Sequence, residues 1–318
     1  MSASGDAAAT FLPPLPRRGV RCGIVVFMTQ GVLGIVGGTG LYDLDGLTDQ
    51  HWVRVDSPFG APSDELLLGR LGEQQIAFLP RHGRGHRIPP HEINFRANID
   101  ALKRAGATAV LSISAVGSLR ADLPPGTFVL VDQFVDRTLR GPKTFFGSGL
   151  VAHVSMAHPT CRRLIGHLGA VIDDLGLPNA KTGTYVVMEG PQFSSFAESK
   201  LHQSLGCDVV GMTNMPEAKL AREAELCYAS VAMVTDFDCW HPDHEHVQVS
   251  DVIRVMHANS KHARQVVQRV IPKIGSDVGL CPHGCDRALE FAIVTAPSAR
   301  DPELVGKLDA VAGRVLRA

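Results

Sequence analysis

Apolar positions along this chain fall into short continuous runs separated by stretches of helical period. Residues 32–36 (VLGIV), 109–114 (AVLSIS), 127–131 and 227–235 are almost unbroken apolar runs of strand length. Residues 75–79, 183–188 and 209–212 add shorter ones. Between them, residues 96–105, 162–175, 196–205, 216–225 and 249–271 read as helices; in the first, Ile99 and Leu102 form the apolar face. A strand that is apolar on both faces must be covered on both. The alternation therefore predicts an α/β fold, a mixed central sheet flanked by helices on both faces, in a single domain.

The pattern is weak at the two ends. Residues 1–27 mix Ala, Ser, Gly and Pro with Arg17, Arg18 and Arg21 and read as a disordered N-terminal extension, with Met28 as an alternative start. Residues 28–274 form the expected domain. Beyond it, residues 275–318 read as a C-terminal appendage with one amphipathic helix over 302–316.

Composition narrows the class. A formal net charge of −1 leaves no basic footprint for neutralising phosphates, so no nucleic-acid partner is expected. The longest apolar run is too short for a membrane span, and residues 24–27 are too short for a signal-peptide core. Seven scattered cysteines make no disulfide framework and suit a reducing compartment. The expected location is the cytoplasm.

Four polar elements follow apolar strands. Gly37-Gly38-Thr39-Gly40 can bring backbone N–H groups close to an anion, with the Thr39 hydroxyl as a further donor. It lacks the lysine of a nucleotide-binding P-loop and the spacing of a dinucleotide fingerprint, and a tight strand-to-helix turn explains it equally well. Arg81-His82-Gly83-Arg84 offers a bidentate fork and an imidazole donor, or else a solvated basic loop. Ser114-Ala115 and Met212-Thr213-Asn214 place small polar groups beyond strand ends, where α/β sheets bind ligands. Together the four predict an anion pocket. Asp236 and Asp238, two apart on what reads as an extended segment, would point the same way and raise each other's pKa. A carboxylic acid there suits protonation of a leaving group. A solvated turn or a helix cap is the plainer alternative.

The motifs GGTGLYDL (37–44), DSPFGAPSD (56–64), LPRHGRGHRIPPHEINFRANI (79–99), SAVGSLR (114–120), EGPQFSS (189–195), MTNMPEAKLAREA (212–224) and CYASVAMVTDFDCW (227–240) resemble the methylthioadenosine phosphorylase branch of the trimeric purine nucleoside phosphorylase family. The likeness runs in order over about residues 32–274. It implies a nucleoside phosphorylase-like domain that uses inorganic phosphate as co-substrate, with no other cofactor, and assembles as a homotrimer. Thr39, Arg81, His82, Ser114, Ala115 and Thr213 match the family's phosphate ligands. Phe193, Ser194, Met212 and Phe237 match positions around base and ribose. Val249, Val252 and Ile253 match the wall of the 5′ pocket, where enzymes of ordinary nucleosides place a histidine, and His153 matches a residue closing a neighbour's pocket. Taken without the resemblance, the Val/Val/Ile stripe reads as core packing.

Asp236 and Asp238 are then the candidate catalytic pair. An ionised carboxylate accepts from a 6-amino group and opposes a 6-oxo group, which favours adenine. The implied reaction is phosphorolysis of S-methyl-5′-thioadenosine to adenine and 5-methylthioribose 1-phosphate. Met212-Thr213-Asn214-Met215-Pro216 departs from the Thr-Thr-Val-Pro of adenosine-type members, which keeps a broader purine nucleoside phosphorylase or a methylthioinosine phosphorylase as alternatives. A nucleoside hydrolase, a nicotinamide oxidoreductase and a non-catalytic nucleotide sensor are remoter readings. No metal is expected: His241, Asp243, His244 and His246 cluster after the DFDCW motif, and Cys281 and Cys285 stand in the tail, but neither set shows zinc spacing.

Overall fold

The computed structural model describes residues 31–38, 41, 44–242, 249–277 and 279–317. The expected N-terminal extension and Thr39 lie outside them, as do Asp243, His244 and His246. The described elements are β1 (Val32–Gly37), β2 (Thr48–Val53), β3 (Leu66–Leu71), β4 (Gln74–Pro80), α1 (Phe95–Arg104), β5 (Ala107–Ser118), β6 (Phe128–Val131), β7 (Gln133–Asp136) and α2 (Arg162–Asp174). They continue with β8 (Asn179–Ala180), β9 (Thr184–Val187), α3 (Phe196–Ser204), β10 (Val209–Gly211), α4 (Asn214–Glu223), β11 (Cys227–Asp236), α5 (Val249–Gly275), α6 (Pro302–Lys307) and α7 (Gly313–Leu316).

One mixed sheet joins the strands in the order β2-β3-β4-β1-β5-β10-β9-β7, with β11, β6 and β8 branching from β5. The long β5 organises it. Along most of its length β5 runs parallel to β1 on one edge and β11 on the other. Its pairing with β1 stops at Ser112, while β10 pairs antiparallel only from Gly117. Between these points one edge of β5 has no neighbouring strand among the described residues. A crevice at such a switch of partners, beyond strand carboxyl ends, is where open α/β sheets bind ligands.

Side chains alternate across β5, so Val110 and Val116 enter one core and Leu111 and Ile113 the other. The first core takes Phe95, Ile99 and Leu102 of α1 and Leu220 of α4. The second takes Leu164 and Leu168 of α2 and Val267 and Ile271 of α5. Strands β2, β3, β7 and β8 lie outside the predicted runs. β2 is largely exposed at the sheet edge, so no apolar run marks it. The helix expected over 302–316 is two short helices instead. Leu308, Val311 and Ala312 between them are buried in the first core, so the tail completes the body of the fold.

Candidate active site

Arg81 is engaged inside the protein. Its guanidinium is buried and its fork grips Glu217 of α4, Nε–Oε2 2.9 Å and Nη2–Oε1 3.2 Å. Nη2 also donates to Ser112 Oγ at 2.6 Å and Nη1 to Ile113 O at 3.1 Å. The expected bidentate fork for an anion is therefore committed to a buried carboxylate. A cation in the interior needs such a partner to offset its lost hydration. The network extends further: Ser112 Oγ and Tyr228 Oη donate to Glu217, and Asn214 Nδ2 donates to Tyr228 Oη and Ser230 Oγ.

Other predicted groups stand beside this network. Ser114 lies two residues beyond Ser112 on the same face of β5, buried, with its Oγ unpartnered. Thr213 is buried at the N-cap of α4, and the Tyr185 hydroxyl lies beside both Thr213 and Ser114. Ala115 is on the strand segment between the two β5 partners. His82 stacks on His86 at 4.2 Å, and its Nδ1 lies 2.9 Å from Ile88 O. Burial pushes the His82 imidazole down to about 4. At neutral pH it is uncharged, with Nδ1–H donating to Ile88 and Nε2 left as an acceptor. Gly38 follows β1 with open space where a Cβ would stand.

The aspartate pair follows from β11, the strand on the other edge of β5. The extended segment ends at Asp236, where β11 shifts register against Gly117. Such a bulge re-aims side chains. Asp238 is not extended: its φ is 53°, in the left-handed region, and its N–H donates to Asp236 Oδ1 at 2.8 Å. A turn, rather than the alternation of a strand, thus brings the pair together. Thr235 Oγ1 lies 2.7 Å from Asp236 Oδ2, and Trp240 Nε1 donates to Ser118 O at 2.7 Å, fixing the segment to β5. Gly117 permits the approach, because a Cβ there would stand 2.9 Å from Asp236 Oδ1. Burial raises both carboxyls above their ordinary range; for Asp236 the neighbouring Asp238 charge is only a minor addition.

The aliphatic stripe on α5 is not core packing. Val249 is 60% and Ile253 42% exposed, with Val252 half-buried beside them. Phe193 is also exposed at 44%, Phe237 stacks on His241 at 4.6 Å, and Cys239 Sγ donates to Ser194 O at 3.3 Å. Met212 lies over Gly190. His153 is exposed and away from this group, on a short segment whose N–H donates to Ala292 O.

A family model for the phosphorylase superfamily matches residues 32–272. The chain belongs to this superfamily. Its relatives include the S-methyl-5′-thioadenosine phosphorylase of Bradyrhizobium diazoefficiens, 59% identical over 91% of this chain and 100% of that protein. The protein of the same name from Rhodospirillum rubrum is 58% identical over 90% and 98%. Among solved structures, a methylthioadenosine phosphorylase from an antarctic soil metagenomic library superposes with a TM-score of 0.83 at 43% identity, covering 89% of this chain and 99% of that one. That of Schistosoma mansoni in complex with adenine gives 0.76 at 37%, covering 85% and 99%.

In this phosphorylase several positioning residues carry no mark in the sequence. Glu217 reads as an ordinary polar position of a helix, yet it neutralises Arg81. Arg140 is buried and donates to Pro90 O, Met212 O, Met188 O and Glu189 O, all between 2.8 and 2.9 Å. It thereby clamps the loops that present Phe193 and Met212. Both are long-range contacts, and spacing along the chain gives no signal for them. Cys281 and Cys285, which lacked partners in the sequence, meet Cys161 and Cys227 in the structure.

Proposed function

We propose that this chain catalyses phosphorolysis of S-methyl-5′-thioadenosine, giving adenine and 5-methylthioribose 1-phosphate. The observation that carries the reading is the Asp236–Asp238 pair. Burial raises both carboxyls at the end of β11, which pairs with β5, the strand that carries Ser114. The names of the relatives support the same activity.

The C1′–N9 bond breaks as a phosphate oxygen bonds to C1′, and the departing adenine takes a proton at N7. Asp236 or Asp238, whose carboxyls burial shifts upward, supplies that proton or shares it in a hydrogen bond. Ser114 Oγ, Thr213 and the Ala115 N–H hold phosphate beneath the sugar, with Thr39 as a further donor. There its charge opposes the positive charge developing on the ribose. His82 Nε2, an acceptor while the ring is neutral, suits a protonated phosphate oxygen, or takes up a proton as the dianion arrives. Arg81 acts through Glu217 and Ser112, fixing the strand ends that carry these groups. Inorganic phosphate is the co-substrate and no other cofactor enters. Val249, Val252 and Ile253 give the 5′ substituent an apolar wall, with His153 of a neighbouring copy closing it in a cytoplasmic homotrimer.

A second reading has one observation behind it. Burial raises the Asp236 carboxyl, and in its acid form that group would donate to a 6-oxo base such as that of methylthioinosine. The test is turnover of methylthioadenosine, methylthioinosine, adenosine and inosine, each with and without phosphate. Methylthioadenosine is expected to lead in kcat/KM, with product formed only when phosphate is present. Phosphate-independent release of adenine would make the chain a hydrolase instead.

A further inference from the structure

Four cysteines from three separate parts of the chain converge at the end of the fold remote from the crevice. Cys161 is the N-cap of α2, Cys227 opens β11, and Cys281 and Cys285 flank a tight turn beyond α5. All four are buried, none more than 3% exposed, and none is in a disulfide. Their Sγ atoms all lie within 4.8 Å of one another, with Cys161 and Cys281 at 3.8 Å. A zinc ion bound tetrahedrally by thiolates at about 2.3 Å spaces its sulfurs roughly 3.8 Å apart. We propose that Cys161, Cys227, Cys281 and Cys285 form a structural zinc site, a closed tetrathiolate that binds the tail to the phosphorylase body.

The surroundings are built for it. Gly284 adopts φ 68° and its N–H donates to Cys281 O at 3.0 Å, which folds the Cys-Pro-His-Gly-Cys segment back so that both thiols face inward. The Cys281 N–H is fixed by Asp286 Oδ2 at 2.9 Å, and the Cys161 N–H by Tyr228 O at 2.7 Å. Four thiolates around Zn²⁺ leave a net charge of −2. Arg163 answers it: its Nη2 donates to Cys227 Sγ at 3.7 Å while its Nε pairs with Asp277 at 3.1 Å. Arg222 and His283 border a surface cleft with Cys285, which gives a metal a way in. Ordinary core packing asks for apolar volume and has no use for guanidinium groups beside the sulfurs. Outer partners of this kind orient ligands and tune a bound metal.

The site is structural because nothing in it is left open and because it is far from the chemistry. Cys227 begins β11 and Asp236 ends it, a separation of roughly 30 Å at about 3.3 Å per residue. Only two of the ligands precede α5, so the metal would join the tail to α2 and β11 as a staple.

The test is metal analysis of the full chain, expressed with added zinc and purified without a metal-binding tag. About one zinc per chain is expected, released by an organomercurial in step with titration of the buried thiols. Growth with Co²⁺ in place of zinc should give the visible absorption of tetrahedral, sulfur-bound cobalt. In Cys281→Ser/Cys285→Ser the zinc should fall to background. The mercurial and cobalt measurements on the unaltered chain decide the matter if that variant does not fold. Iron in place of zinc, four free thiols without metal, two disulfides, or zinc kept by the double variant would each overturn the proposal.

Discussion

In the proposed function Asp236 meets the purine with oxygens that only accept while ionised, and burial shifts that carboxyl toward its acid form. Asn at this position keeps the shape and replaces one acceptor with a donor. Asp236→Asn is therefore expected to move the ratio of kcat/KM for 6-amino over 6-oxo substrates towards the oxo side by about 10- to 100-fold, the equivalent of one unpaired buried group. An unchanged ratio removes Asp236 from base reading. His82 gives a prediction in stability. Its folded pKa is about 4 against 6.5 for the free side chain. As pH falls from 6.5 towards 4 the unfolded chain binds a proton that the folded chain refuses, so stability is lost across that window. The full loss is on the order of 3 kcal/mol. In His82→Asn, whose amide can replace Nδ1–H at Ile88 O, urea unfolding should lose less stability over the same range. Parallel curves for the two proteins would mean that His82 is not held neutral.

At the scale of elements, what the sequence made legible follows from burial. β1, β5 and β11 are apolar on both faces because helices cover both, so they stand out as unbroken runs. β2 is exposed at an edge and has no such signature. The polar strand ends were legible because small polar residues interrupt apolar strands there. Their supporting contacts were not: Arg81 looked like an anion fork, and only Glu217, which lies 136 residues further along the chain, shows otherwise. The turn at Asp238 was hidden for a related reason, since a left-handed aspartate looks like any other in a sequence. The first turns of α5 were ambiguous between core and pocket, and the exposure of Val249 and Ile253 takes them out of the core. Val249→His is expected to raise kcat/KM for adenosine relative to methylthioadenosine by about tenfold, because imidazole bonds a 5′-hydroxyl and crowds a thioether. If the ratio holds steady in a substrate competition assay, the 5′ group lies elsewhere.

Across the whole molecule, the tail joins two functions that its sequence kept apart. Leu289, Ala292, Leu308, Val311 and Ala312 complete the first core, and Arg314 pairs with Glu225 at 2.7 Å. The same segment runs beside His153, with Ala152 bridged to Ile293 and Val294 N–H donating to Val151 O. There Phe291 is 94%, Val294 63% and Val151 38% exposed, an apolar face next to the histidine assigned to a neighbouring pocket. Exposed apolar groups so close together mark a surface that another protein covers. In a symmetric homotrimer each copy would offer this face to the next, and His153 would reach the 5′ pocket across the join. Phe291→Asp places a charge that loses hydration on assembly. On the proposed trimer, sedimentation should show trimer giving way to monomer, and KM for methylthioadenosine should rise about tenfold or more as the proposed pocket loses its far wall. The two readouts must move together. A monomer whose KM is unchanged would separate His153 from the pocket, and a trimer that survives the substitution would place the subunit interface on another face.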